Sequence, residues 1–385
     1  KSGHKRVCRT IGSERAFAMM NTTYELLLEK LSRQASNKKI PLNAAFELTP
    51  RCNLNCRMCY IHSPQKDCSF IDKELTAQQW IKLASDARDA GLLNLILTGG
   101  EIFLREDFEN IYEGISKMGL SIILYTNASL IDQEKVKWLG RMPPSSMEIT
   151  LYGASAQTYD KVCGNAKAYK QVVGAIDMLL AEGINIELKT TVVEDNLDDY
   201  AEMAEFSYKR GIPLNIVDYL YPVRSSPSLS NKYRLTPGKL IDFQRRVIDT
   251  NQSLHQMYCS KDTAWDLEGS YKYRDKLLRE LDNIPPDEQR AESAFGCNAG
   301  SSDFWITWDG RMLPCGSMEE PVFYPLKTGF INAWQNLTKQ CSRIPACNEC
   351  KNCNLLDYCI VCPAKLKCET GHYDRPAPYL CELAR

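Results

Sequence analysis

Apolar residues recur between residues 44 and 219 in two alternating patterns, one with the period of a β-strand and one with the period of an amphipathic helix. The strand pattern predicts strands at residues 44–49, 93–98, 121–126, 147–152, 185–193 and 214–219. The helix pattern predicts helices near residues 77–90, 106–118, 132–140, 169–182 and 197–210. Elements that alternate in this way form a parallel sheet with right-handed crossovers, and ligand loops gather at the carboxyl ends of its strands.

Six strand-helix units predict an open α/β fold, since a closed barrel of this type needs eight. The pattern stops at a polar, proline-containing stretch, residues 222–230, which is typical of a linker or surface loop. We therefore predict an amino-terminal helical cap, a strand-helix domain, a bridging helical region and a cysteine-rich domain. Their expected bounds are residues 1–43, 44–220, 221–295 and 296–385.

The composition narrows the classes of protein that fit. The net charge is -1 over 385 residues, which excludes a general affinity for nucleic acid or for an anionic membrane. The sequence has neither an apolar run of transmembrane length nor a signal-peptide pattern. Seventeen cysteines in such a chain indicate a reducing compartment and metal binding rather than a disulfide scaffold, so we expect a cytoplasmic protein.

The most informative cysteines follow the first predicted strand. Cys52, Cys56 and Cys59 lie in the stretch Thr-Pro-Arg-Cys-Asn-Leu-Asn-Cys-Arg-Met-Cys-Tyr. A 4Fe-4S cubane cluster is normally held by four thiolates, so three thiols at this spacing would leave one iron open to a small chelating molecule. The alternative is a three-cysteine zinc site completed by His62.

The Cys-x3-Cys-x2-Cys spacing resembles the signature of radical S-adenosylmethionine (SAM) enzymes, in which the SAM amino and carboxylate groups chelate the open iron. The loop Leu-Thr-Gly-Gly-Glu after the second strand is similar to the family motif that binds the SAM amino group, which assigns Gly99, Gly100 and Glu101 to the cofactor site. Ile102 stands where the family usually has proline. Taken alone, two glycines and an acid also fit an ordinary turn. The resemblance implies a partial, TIM-like (β/α)6 barrel.

Weaker candidates lie near the ends of other strands. The resemblance implies that Asn127, Thr150 and Ser155 flank the ribose and methionine parts of SAM, and that Tyr60 and Lys189 also belong to the cofactor site. For each of them the alternative is a buried polar side chain that hydrogen-bonds to backbone.

Ten of the cysteines fall within 85 residues near the carboxyl terminus, a density that indicates metals or disulfides. The alternating residues 304–315 surround an Asp309-Gly310 turn and predict a hairpin that presents Cys315 just past its second strand. This field resembles the SPASM extension of radical SAM enzymes, which carries two auxiliary 4Fe-4S clusters. Tandem zinc ribbons are the structural alternative.

The SPASM resemblance implies that Cys297, Cys315 and Cys362 hold the nearer auxiliary cluster. It assigns to the distal cluster Cys350, Cys353, Cys359 and Cys381. The sequence departs from the family in having two residues, not three, between Cys359 and Cys362, and in adding Cys347. Either Cys347 completes the nearer cluster or that cluster keeps an open iron. The cysteines interpreted as plain thiols are Cys8, Cys68, Cys163, Cys259, Cys341 and Cys368.

The resemblance implies an enzyme with three 4Fe-4S clusters that cleaves SAM reductively to a 5'-deoxyadenosyl radical. Residues 151–160 and the segments around Cys362, Glu369 and Tyr379 look most like maturases of ribosomally synthesised peptides, of the sactisynthase or cross-link-forming type. We therefore expect a thioether or carbon-carbon cross-link in a cysteine-containing precursor peptide. An expected partner is a reductase such as flavodoxin or ferredoxin. Because about forty residues before the first strand are too few for a complete leader-recognition domain, we expect that either a separate protein recognises the leader or the leader is not recognised at all.

Three other classes stay open. An anaerobic sulfatase maturase, which makes formylglycine, ranks lower because that family has an aspartate just after the cysteine that matches Cys315, and this chain has Gly316. A SPASM enzyme that epimerises a peptide is another alternative. An electron-transfer protein with three clusters would not need Glu101 or a SAM-shaped site.

Overall fold

The computed structural model describes residues 28, 30–61, 68–221, 232–258 and 294–385. Cys8, His62, Cys259 and the side chain of Cys68 lie outside this described part. The strands are β1 Asn43–Glu47, β2 Asn94–Thr98, β3 Ser121–Thr126, β4 Ser146–Thr150, β5 Ile186–Thr191, β6 Leu214–Val217, β7 Asp303–Ile306 and β8 Met312–Leu313. The predicted strands β1 to β6 are confirmed to within about two residues.

The helices are α1 Ala77–Asp89, α2 Phe108–Ser116, α3 Gln133–Arg141, α4 Ala156–Cys163, α5 Ala166–Ala181, α6 Tyr200–Arg210, α7 Pro237–Tyr258, α8 Pro325–Thr328, α9 Phe330–Cys341, α10 Asn348–Lys351, α11 Pro363–Thr370 and α12 Pro378–Leu383. Residues 30–38 are also helical. Among the described residues, 3-10 helices span Cys68–Lys73, Ile102–Leu104, Leu197–Asp199 and Leu356–Tyr358. No helix of the described residues combines the length and apolar character needed to cross a membrane.

One sheet carries all eight strands, in the order β6-β5-β4-β3-β2-β1-β7-β8. The first six strands pair in parallel and in chain order, which is the arrangement that the alternating pattern predicts. Along β3 the residues alternate between buried and half-buried, because successive side chains point to opposite faces. All six carboxyl ends therefore lie along one edge of the sheet.

The predicted hairpin is confirmed, and it also joins the main sheet. Strand β7 pairs antiparallel with β8 and parallel with β1. Gly310 occupies the turn at φ 84°, which glycine adopts without the steric cost of a Cβ atom. Phe304 on β7 packs 6.4 Å from the ring of Phe46 on β1. The cysteine-rich segment thus begins as part of the barrel core.

Helix α4 is absent from the predicted elements. Its eight residues give too short an amphipathic pattern to be distinguished from a loop. The helix begins after Ser155, whose hydroxyl accepts a hydrogen bond from the backbone N–H of Thr158, and it ends at Gly164 in the left-handed conformation. These caps define α4 more clearly than its apolar pattern does.

The carboxyl-terminal helices are held against the end of β6 by a buried ion pair. Arg234 pairs with Glu369 of α11 and lies 3.6 Å from the ring centroid of Tyr379, while the Tyr379 hydroxyl donates to the carbonyl oxygen of Leu235. The Tyr219 hydroxyl donates to the same glutamate at 2.5 Å. The position of the cysteine-rich helices over the sheet is therefore fixed by polar contacts as well as by apolar packing. The four predicted domain bounds stay a prediction.

Candidate active site

A cavity of about 670 Å³ opens at the carboxyl ends of the strands. Part of its lining consists of the cysteine loop with the ends of β2 to β6, and another part consists of residues 316–320 with part of α11. Cavities of this size are typical of sites that enclose one small organic ligand. The loops of the barrel and the cysteine-rich segment thus enclose a single site.

The three cysteines of the first motif all line this cavity. Their loop is anchored to the end of α4, since the N–H of Asn55 donates to the Cys163 carbonyl at 3.0 Å and that of Arg57 donates to Val162 at 3.1 Å. Between the thiols, the apolar side chains of Leu54 and Met58 are buried in the core. The cysteines and the apolar residues between them therefore line the cavity together, on a loop held by the end of α4.

The surroundings of these thiols fit a cationic group. Burial, followed by the charge of Glu101, raises the pKa of Cys52. Contact with the Cys163 thiol, together with burial, raises the pKa of Cys56. A metal reverses this preference, because a coordinating thiol loses its proton outright. The set of donors therefore matches the cluster that the resemblance implies.

Among the described residues, no three His, Cys, Asp or Glu side chains converge closely enough to hold a single metal ion. In a cubane cluster each cysteine binds a different iron, so its sulfurs need not converge on one point.

The glycine pair explains how the second loop approaches the cysteine loop. The N–H of Gly100 donates to the Thr49 carbonyl at 2.7 Å, and the N–H of Glu101 donates to the Arg51 carbonyl at 2.8 Å. A Cβ atom on Gly100 would lie 2.2 Å from the Arg51 oxygen, and one on Gly99 would lie 2.6 Å from the Thr49 oxygen. Only glycine permits this backbone contact, and both glycines line the cavity.

Glu101 itself is fully buried behind the cavity wall. Its Oε1 accepts from the Phe103 N–H at 3.0 Å and from the Thr126 hydroxyl at 2.8 Å, and its Oε2 accepts from the Asn127 N–H at 2.8 Å. Burial raises the pKa of this carboxyl, while the same hydrogen bonds oppose the increase. The carboxylate therefore holds the loop after β3 in place, and its predicted contact with SAM stays a prediction.

Asn127 connects the loop after β3 to the first cysteine. Its Nδ2 donates to Asn53 Oδ1 at 3.0 Å and lies 3.7 Å from Cys52 Sγ, while its Oδ1 accepts from the hydroxyl of Ser129 at 2.6 Å. The next residue, Ala128, is buried at φ 58°, a strained conformation for a residue with a side chain. The loop is thus held in one geometry from several sides.

The structure separates the remaining predicted cofactor residues. Tyr60, Thr150 and Lys189 line the cavity. Lys189 pairs with Glu148 and its Nζ lies 4.3 Å from the ring centroid of Tyr125. Ser155, in contrast, caps α4.

Tyr152 was not predicted, although it lines the cavity and its hydroxyl hydrogen-bonds with Cys56. The signal that could have indicated it is its position two residues after the end of β4, at the ligand edge of the sheet.

The carboxyl-terminal cysteines form two groups. In the nearer group, Tyr221 lies between two thiols, with its hydroxyl 4.0 Å from Cys362 Sγ and with the charge of Cys315 acting on it. In the distal group, Cys350 interacts with Cys347, Cys381 and Cys359, and burial followed by these thiols raises its pKa to about 12. Cys353 belongs to the same distal group, because its charge acts on Cys359.

Comparison with known proteins finds relatives for the part of the chain that carries the cysteine and glycine loops. Residues 46–207 match the model of the Radical SAM superfamily. The chain is 25% identical over 350 residues to an AdoMet-dependent heme synthase of Methanosarcina barkeri, covering 88% of this chain and 96% of that protein. It is 29% identical over 292 residues to the antilisterial bacteriocin subtilosin biosynthesis protein AlbA of Bacillus subtilis, covering 72% of this chain and 55% of AlbA.

A solved structure shares the fold beyond the matched domain. The crystal structure of Streptococcus suis SuiB bound to precursor peptide SuiA superposes with a TM-score of 0.65 at 17% identity, covering 88% of this chain and 75% of SuiB. At this identity the similarity shows a common fold over 88% of this chain.

Proposed function

We propose that this chain, which is a radical SAM enzyme with its radical SAM domain at residues 46–207, modifies a ribosomally synthesised peptide by forming a thioether or carbon-carbon cross-link. The observation that carries the proposal is the shared cavity, which is lined by both the cysteine loop and residues 316–320 of the cysteine-rich segment. A peptide side chain that enters this cavity would lie between the two regions.

Cys52, Cys56 and Cys59 would hold one cluster. With cluster and SAM bound, reductive cleavage of SAM supplies a 5'-deoxyadenosyl radical that takes a hydrogen atom from the substrate. The backbone of Gly99 and Gly100 would bind the cofactor at the cavity wall. Asn127, whose N–H donates to Glu101, would hold the cysteine loop in position at the cavity wall through its hydrogen bond to Asn53.

We further propose that the carboxyl-terminal groups hold two auxiliary 4Fe-4S clusters, for a total of three. Such clusters would supply an acceptor for the second electron of a cross-link or a site for a substrate thiol. The grouping of Cys350, Cys359 and Cys381 supports the distal cluster. The grouping of Cys315 with Cys362 supports the nearer one.

The relatives support a peptide substrate without identifying it. AlbA is named for the biosynthesis of a bacteriocin, and SuiB was crystallised with a precursor peptide. We propose that a flavodoxin or ferredoxin supplies the electron and that a separate protein recognises the leader of the precursor. We also propose a cytoplasmic location, where thiols stay reduced.

Sulfatase maturation is less compatible with the cavity wall. Gly316 lines the cavity under Trp305, and a Cβ atom on it would lie 3.0 Å from the indole ring. A side chain at this position would require the tryptophan, whose Nε1 donates to Glu47, to shift by a few tenths of an ångström. The chain therefore lacks an acid where the sulfatase maturases have one.

A second candidate is a tetrapyrrole substrate, favoured by the alignment with the heme synthase over 96% of its length. The propionates of a tetrapyrrole would require cationic partners. The cavity is lined by Lys189 and Lys367, but also by Glu319 and Glu320, and Lys189 already pairs with Glu148. This balance of charge favours a peptide.

The test uses the anaerobically reconstituted full chain with SAM, dithionite and the short cysteine-containing peptides encoded beside its gene. Cross-linking predicts a peptide that has lost two hydrogen atoms. A thioether consumes an alkylatable thiol, and a carbon-carbon bond preserves it. Formylglycine would remove the sulfur atom, and epimerisation would add one deuterium from D2O without another mass change. If an iron porphyrin is converted and no peptide changes, the tetrapyrrole candidate replaces the peptide proposal.

A further inference from the structure

Cys341 lies among the cysteines of the nearer group, although its spacing gives no sign of it. It is the last residue of α9, and its side chain is 5% exposed. Its sulfur faces the start of the hairpin, where a Cβ atom on Gly300 would lie 2.3 Å from Cys341 Sγ. Gly300 itself has a φ of 68°, so glycine is required here both for the backbone and for access to the sulfur.

The neighbours of Cys341 are the two cysteines that open the SPASM-like pattern. A Cβ atom on Gly300 would also lie 3.7 Å from the Cβ atom of Pro314, so the Cys341 side chain lies beside the residue that precedes Cys315 and beside a residue three positions after Cys297. Cys315 and Cys297 are also the thiols whose charges act on Cys341. The Tyr373 side chain lies near the same thiols, and the charges of Cys341, Cys368 and Cys315 all act on it. Cys341 and the nearer group therefore surround one small volume.

The other two spare cysteines of this segment have different thiol neighbours, since Cys347 lies beside Cys350 and Cys368 lies beside Cys362. Cys347 accepts a hydrogen bond from the Cys350 N–H at 3.4 Å and so belongs to the distal group. Cys368 lines the active-site cavity, with its sulfur 3.9 Å from the Ser317 carbonyl oxygen. Among the described cysteines outside the SPASM-like pattern, Cys341 alone is paired in these contacts with both Cys297 and Cys315.

We infer that Cys341 is the fourth thiolate ligand of the nearer auxiliary cluster, together with Cys297, Cys315 and Cys362. This inference rests on the auxiliary clusters proposed above. A cluster with four protein thiolates has no open iron, so it would accept an electron from the substrate but would not bind a substrate thiol directly. The sulfur of a thioether would then have to be positioned by the cavity wall.

The test compares variants in a full-length background that carries Cys52→Ala, Cys56→Ala and Cys59→Ala, which leaves only the auxiliary clusters. This background should hold about eight irons, from two clusters of four. Cys341→Ala is compared with Cys368→Ala, a matched loss of a thiol near the same group. Each protein is treated with ferricyanide, and its iron content and its electron paramagnetic resonance spectrum are measured.

A cubane with only three thiolates loses its unligated iron on oxidation, so Cys341→Ala should fall to about seven irons per chain and show a 3Fe-4S signal. The background and Cys368→Ala should keep about eight irons and show no such signal. The inference is wrong if Cys341→Ala behaves like the background, or if the background already forms the 3Fe-4S signal. If the background protein binds no iron, the carboxyl-terminal cysteines hold no clusters, and both this inference and the proposal of auxiliary clusters are wrong.

Cys341→Ser provides a second measurement, because it preserves the size of the side chain if alanine prevents folding. An oxygen ligand in place of sulfur should shift the spectrum of the reduced nearer cluster. An unchanged spectrum in a folded Cys341→Ser protein would also contradict the inference.

Discussion

Gly100→Ala should damage both the fold and the site, because the new methyl group has no space. Its carbon would lie 2.2 Å from the carbonyl oxygen of Arg51, and real contacts do not fall below 3.0 Å. The obstacle is backbone, so the loop must retreat by at least 0.8 Å, which breaks the pairing of Gly100 with Thr49. Overpacking of this kind costs about 3 kcal/mol in the free energy of unfolding.

Gly174→Ala is the matched control. Gly174 lies within α5, and a Cβ atom there meets no atom within 4 Å. The same substitution should therefore stabilise the protein by about 1 kcal/mol, the difference in helix propensity. Urea denaturation of both variants should show midpoints displaced in opposite directions.

The same loop movement should affect chemistry. A misplacement of about 1 Å in an active site costs about 100-fold in rate, so Gly100→Ala should lower dithionite-dependent SAM cleavage by about that factor. Gly174→Ala should cleave SAM at the normal rate. If Gly100→Ala matches Gly174→Ala in both assays, the close contact between the glycine loop and the cysteine loop does not exist in solution.

Two further substitutions test the polar contacts around the site. Glu101→Gln should weaken SAM binding by about 1.5 to 3 kcal/mol, because it removes the charged acceptor of the Asn127 N–H and presents a donor in its place. Calorimetry of SAM binding at unchanged iron content measures this effect. Equal SAM affinity in the two proteins would assign Glu101 no part in the site. Burial raises the pKa of Glu101 in the folded protein above the ordinary carboxyl value of 4.5. The stability that the protonated Glu101 adds is therefore fully present below pH 4.5 and is lost as the pH rises through the pKa of the folded state. Glu101→Gln should flatten the pH dependence of the free energy of unfolding over this pH range. Arg234→Met should destabilise the protein by about 3 to 5 kcal/mol, because it leaves the buried charge of Glu369 unpaired. In urea denaturation, the double variant Arg234→Met with Glu369→Gln should recover part of this loss. No recovery would show that the packing of Arg234 on Tyr379, rather than its charge, fixes the carboxyl-terminal helices.

The first six strands and their order in the sheet could be predicted from local sequence patterns. Strands β1 to β6 are short runs of four to six residues, of which β3 and β5 alternate throughout between buried and half-buried positions, and their order follows from the rule for parallel crossovers. The pairing of β7 with β1 joins residues about 260 positions apart, and no local pattern encodes it. The short helix α4 is defined by its caps rather than by its apolar face.

The candidate site shows the same division. The cysteine and glycine motifs indicated which loops meet, since their spacing along the chain carries the chemistry. The direction of Glu101 into the wall and the contact of Tyr152 with Cys56 depend on how three strand ends are placed together. Cys341 was interpreted as a plain thiol because its neighbours are distant in sequence, and only the fold brings it to Cys297 and Cys315.

The most direct test of the central claim measures 5'-deoxyadenosine formed from SAM by the reconstituted chain with dithionite. The unsubstituted protein should form 5'-deoxyadenosine and hold about twelve irons, from three clusters of four. Replacing Cys52, Cys56 and Cys59 together by alanine should remove about a third of that iron and abolish the product. Formation of 5'-deoxyadenosine by the triple variant at the normal rate would contradict the account.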